Sequence, residues 1–129
     1  MKNPKEIVIG YWNAMNTNDF AKAAEYLSVD FKCFWQQSNE VIIGRENFIA
    51  LNTAYPSDGL WQFTINHLIA DGSEVCTDVT VTDGTTNAQA ITFHTVKDGL
   101  ICKQVEYWVD SYDAPKWRQQ WVEKINNNE

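Results

Sequence analysis

A chain of 129 residues, 44% hydrophobic and 13% aromatic, fits one domain with a real core, and no segment is charged or simple enough to stay disordered. A formal net charge of −7 and a pI near 4.7 argue against nucleic acid and anionic membrane surfaces, because both need a basic face. No run approaches the ~20 apolar residues of a membrane span, and IVIG (7–10) is too short for a signal-peptide core, so the expected location is the cytoplasm.

Asn3-Pro4 opens a helix with a capping residue and a first-turn proline, and Ile7, Val8, Tyr11, Trp12 and Met15 recur at helical spacing. NTND (16–19) ends that helix and caps a second, predicted from Phe20 to Leu27. FKCFWQQ (31–37) reads as a strand, Gly44 ends an apolar VII run, and 45–55 reads as a third helix. Four β-rich runs follow at 61–70, 74–82, 87–96 and 100–109, with Asp-Gly at 71–72, 83–84 and 98–99 between them. That spacing predicts an antiparallel meander. A terminal helix is predicted from Asp113 to Asn126, docking on the body or on a partner through Trp117, Trp121 and Ile125.

In EVCTDVTVT (74–82), Val75, Val79 and Val81 share one face and Cys76, Asp78 and Thr80 the other. A curved sheet covered by helices on one side and a second subunit on the other has this pattern, so a homodimer through the outer sheet face is expected. Cys33, Cys76 and Cys102 are an odd count without CxxC pairing and read as small buried thiols in a reducing compartment. His67 and His94 have no partner at a metal spacing, so no metal is expected. Alternation places His94 on the face opposite Ile91 and Phe93, outward or toward a partner. No nucleophile motif or glycine-rich phosphate loop is present.

GYWNAMNTNDFAKAAEYLSVDF, GRENF and KDGLICKQVEYW together resemble the NTF2-like superfamily, and in particular its SnoaL-like, polyketide cyclase-like branch, with ketosteroid isomerases and limonene-epoxide hydrolases as cousins. The resemblance covers nearly all of 1–129. It implies an α+β, cystatin-like cone, with three N-terminal helices packed on a strongly curved antiparallel sheet, plus a C-terminal helix. It also implies a deep apolar pocket between them and no cofactor. The isomerases' oxyanion-binding tyrosine then falls on Tyr11, their base aspartate on Trp35 and their second oxyanion acid on Ile91. With one of these groups kept, ketosteroid isomerisation is not expected. The same alignment points Cys76, Asp78, Asn87, Gln89, Glu106, Trp108 and Asp110 into the pocket, and the cyclases' acid/base carboxylate matches Glu106 or Asp110.

Strand alternation puts Glu106 and Asp110 on one face with Trp108 between. A carboxylate among indoles is poorly solvated, its pKa rises, and it can move protons near neutral pH. The plainer reading has Glu106 hydrogen-bonded to a neighbouring ring and Asp110 solvated at the strand end. Asp78 would form an acid–base pair with Glu106 if it shared the pocket, and is otherwise a surface aspartate. Tyr11 lines the pocket or sits in the core with its hydroxyl tied. Trp35, Trp108 and Phe48 wall the pocket or plug it.

Three functions are compatible with these residues. One is a cofactor-independent enzyme of isomerase or cyclase type on a small hydrophobic carbonyl compound, with Gln89 or Tyr11 steadying an enolate. Epoxide hydrolysis ranks lower, since Arg45 and Arg118, the only arginines, lie on no pocket strand. A second is a non-catalytic binding protein for a small hydrophobic ligand. The third is a dimeric interaction protein with a filled cone.

Overall fold

The computed structural model describes residues 2–125. Helix α1 (Pro4–Met15) starts where expected: the Asn3 side chain accepts the Glu6 N–H at 2.9 Å and Pro4 takes the first turn. Its stripe of Ile7, Val8, Tyr11, Trp12 and Met15 is buried. Helix α2 (Phe20–Ala24) stops earlier than predicted. Leu27 is fully buried and begins strand β1 (Leu27–Trp35), because the Tyr26 carbonyl accepts the Ile101 N–H at 2.8 Å and draws the chain into the sheet. The VII run is a short edge strand, β2 (Glu40–Ile43), paired antiparallel with β1. Helix α3 (Arg45–Ala54) follows.

Strands β3 (Gln62–Asp71), β4 (Glu74–Thr82), β5 (Asn87–Lys97) and β6 (Leu100–Val109) form the predicted meander. At its last turn Asp98 and Gly99 both adopt positive φ, 54° and 78°, which is the two-residue hairpin geometry that Asp-Gly favours. The sheet is larger than the meander. Its order is β2-β1-β6-β5-β4-β3, and β1 joins β6 in parallel, so the antiparallel sheet carries one parallel seam. The α1 stripe packs on the concave face, where Thr77, Thr92, His94, Gln104 and Glu106 lie buried among apolar neighbours.

The terminal helix is corrected. Among the described residues of this segment only Lys116–Trp121 is helical, as a 3₁₀ turn, and Trp117 and Trp121 are 71% and 70% exposed. The stripe finds no apolar surface on its own chain, and so short a helix is not stable without packing. The predicted end at Asn126 lies outside the described residues. No helix among the described residues is long and apolar enough to cross a membrane. All three cysteines are free, Cys33 buried and the other two half-buried.

Candidate functional site

Register builds the site. Thr77 pairs with Thr92, and Thr92 with Glu106, so these side chains line up across β4, β5 and β6 on the concave face. One rung away, Val75, His94 and Gln104 do the same. The parallel β1 brings Cys33 and Trp35 alongside. Glu106 is only 7% exposed. Its Oε2 accepts the Thr92 hydroxyl at 2.6 Å and its Oε1 accepts the Trp35 indole N–H at 3.0 Å. Burial raises its pKa above the ordinary carboxylate value, and the two donors pull the other way. It therefore holds its proton more tightly than a solvated glutamate.

Tyr11 lies over the same space. Burial, and next the field of Glu106, push its pKa well up, so its hydroxyl stays a proton donor. Behind it runs a buried polar chain that sequence reasoning missed. Trp12 Nε1–H donates to Thr77 Oγ1 at 3.2 Å, Thr77 Oγ1 meets His94 Nε2 at 2.9 Å, and Gln104 Nε2 meets His94 Nδ1 at 3.1 Å. Burial lowers the His94 pKa to about 3, so the imidazole is neutral.

Tyr11, Cys33, Trp35, Phe48, Gln104 and Glu106 surround a cavity of about 40 Å³, room for about three waters. A side lobe of about 90 Å³ adjoins it past Phe63 and Trp108, toward Asn52 and Ala88. Outside lies an open vestibule of about 310 Å³, lined by Gln37, Glu40 and Asp110. Trp35, Tyr55 and Trp108 belong to both cavity and vestibule and stand between them. The two indoles meet edge to face, 6.4 Å apart and at 87°. Among the described residues, no group of His, Cys, Asp and Glu is placed to hold a metal ion.

A cone of helices packed on a curved sheet is the architecture that the sequence resemblance implied. Residues 8–104 match the SnoaL-like domain family. The chain belongs to this family. Among solved structures, this SnoaL-like chain is similar to a candidate ketosteroid isomerase of Kribbella flavida, with 28% identity and a TM-score of 0.87 over 95% of this chain and 90% of that one. An NTF2-like protein of unknown function from Burkholderia xenovorans is 26% identical, with a TM-score of 0.78 and 95% of each chain covered. A candidate SnoaL-like polyketide cyclase of Shewanella denitrificans shares the fold at 16% identity and a TM-score of 0.69, over 82% and 90% of the two chains. No curated protein matches.

The SnoaL-like cone gathers Tyr11, Trp35, Phe48, Glu106 and Trp108 at one cavity. It does not gather the rest. Val75, Thr77, Val79 and Val81 take the inner face of β4, which turns Cys76 and Asp78 outward. Their register partners follow, with Ile91 opposite Asp78, Gln89 opposite Thr80 and Asn87 opposite Thr82. The expected pocket positions of Cys76, Asp78, Asn87, Gln89 and Ile91 are thus corrected by one residue, enough to exchange faces. Asp78 accepts Gln89 Nε2–H at 2.8 Å and lies 3.0 Å from His67 Nδ1, and these partners lower its pKa. It stays ionised and has no contact with Glu106. The same slip corrects His94, expected outward and found in the core. Asp110 sits past the end of β6 in the vestibule, not beside Glu106. Thr92, not Ile91, holds the inner position, and counting inward from His94 rather than outward would have found it.

Proposed function

We propose that this chain is a cofactor-independent enzyme of isomerase or cyclase type, in which Glu106 moves a proton on a small hydrophobic carbonyl compound. The observation that carries the reading is Glu106 itself, the one carboxylate lining the cavity among the described residues, buried and held by two donors. As carboxylate it takes a proton from the carbon next to the carbonyl. Tyr11 donates to the enolate oxygen that results. Protonated Glu106 then returns the proton to the same or another carbon, or the enolate carbon attacks a second carbonyl to close a ring. The cavity and its side lobe, about 40 and 90 Å³, together favour small substrates, and steroid-sized ones have no room in them.

The test is α-proton exchange of small cyclic and aryl ketones in D₂O, followed by NMR. Wild type exchanges. Glu106→Gln loses about 10²–10⁴-fold, and Tyr11→Phe loses about 10²–10³-fold. Ketones that bind but do not exchange in wild type would shift the assignment to a non-catalytic binding protein. The fullness of the cone at about 40 Å³ favours neither of these over a third reading, an interaction protein with a filled cone, which the absence of both binding and exchange of any ketone would support.

The reading includes a homodimer through the outer sheet face, where Ile69, Phe93 and Val109 are 71%, 47% and 50% exposed. A second copy would cover these side chains.

A further inference from the structure

The vestibule has a chemistry that the proton-transfer reading leaves unused. Trp35, Trp108 and Tyr55 line it, and the two indoles are set at right angles. Its rim carries two carboxylates, Glu40 and Asp110, and no lysine, arginine or histidine lines it. Among the described residues the only ion pair is His67–Asp78, so neither rim acid has a cation of its own. Two hydrogen bonds hold the corner. Gln37 Oε1 accepts the Trp108 backbone N–H at 2.6 Å, and Trp35 gives its indole N–H inward to Glu106. The polar edge of Trp35 is thereby spent on Glu106.

Aromatic faces attract compact, weakly hydrated organic cations, and nearby carboxylates add to that attraction. They repel anions, and a neutral apolar group gains nothing from Glu40 and Asp110. The inner cavity is too small for a trimethylammonium group and the vestibule is not.

We propose that the vestibule binds a quaternary or alkylated ammonium head, and that the substrate is a small carbonyl compound carrying that head outside while its carbonyl end reaches Glu106. The assignment rests on the pocket reading above and names its substrate class. A ligand so held lies in one orientation, with its charge in the outer box and its reacting carbon inside.

The experiment titrates the full chain with choline and with its uncharged carbon isostere, 3,3-dimethylbutan-1-ol, by tryptophan fluorescence and calorimetry. Choline should bind at least about fivefold more tightly than the isostere. The advantage should shrink as salt rises and shrink again in the Glu40→Gln/Asp110→Asn double variant, whose substitutions are at exposed sites and spare the fold. Equal affinities overturn the proposal, as does no binding of choline, or an advantage undiminished in the double variant. α-Proton exchange of neutral ketones in that case leaves the proton-transfer reading standing. No exchange and no choline binding would remove both.

Discussion

Glu106 and His94 share one buried layer and have opposite linkage to pH. The unfolded glutamate loses its proton near pH 4.5, the folded one at higher pH. The native state binds more protons in that window, so Glu106 costs stability as pH rises through it. His94 is the reverse. Its unfolded imidazole protonates near pH 6.5 and its folded one near 3, so stability is lost as pH falls between them, a cost on the order of 5 kcal/mol in full. Two outcomes follow. Glu106→Gln should gain stability relative to wild type as pH rises from 4.5, read by urea unfolding at several pH values. His94→Gln should flatten the acid limb of the stability curve by up to about 1.4 kcal/mol per pH unit. A parallel curve in either variant would show that the group does not titrate as its burial requires. At this scale Glu106 was legible because a carboxylate beside Trp108 is conspicuous. The Thr77–His94–Gln104 chain was not, because each link comes from a different strand.

Elements were legible where turn chemistry was strong. Asp-Gly at 71–72, 83–84 and 98–99 located the meander. Faces were less legible, and β3 shows why. Ile65 pairs with Val79 and His67 with Asp78, so the register shifts between them and Asn66 is the extra residue. Ile65 then faces the core while His67, two positions on, faces out, which simple alternation forbids. Strands β4 and β5 were misfaced for another reason: Thr77, Thr92 and His94 are polar residues on the buried side, held there by hydrogen bonds that no periodicity reveals. The C-terminal segment failed at the opposite extreme. Its four-residue spacing is helical, but spacing supplies no surface to pack against. Truncation after Ala114 should therefore shift the melting temperature by less than about 2 °C, by calorimetry. A larger loss would mean that Trp117 and Trp121 are covered in solution.

At the scale of the molecule, the resemblance to SnoaL-like proteins was legible because it rests on long stretches at both ends of the fold. The pocket volume was not, since it depends on how Trp35, Phe48 and Trp108 pack together. The proposed dimer makes its own prediction. Phe93 stands in the outer face, edge to face with Tyr107 at 6.4 Å, and is 47% exposed. Phe93→Glu places a charge there and should yield a monomer with an intact circular dichroism spectrum, by sedimentation equilibrium. A wild-type monomer would refute the outer-face dimer.

Trp35 does two jobs with one ring. It walls off the cavity from the vestibule, and its Nε1–H steadies the charge on Glu106. The indole N–H that Glu106 accepts favours its ionised form, so this wall residue also sets how readily the base takes a proton. Wall and base are therefore coupled: a change in the indole's place is also a change in the proton affinity of Glu106, and linkage makes that coupling reciprocal.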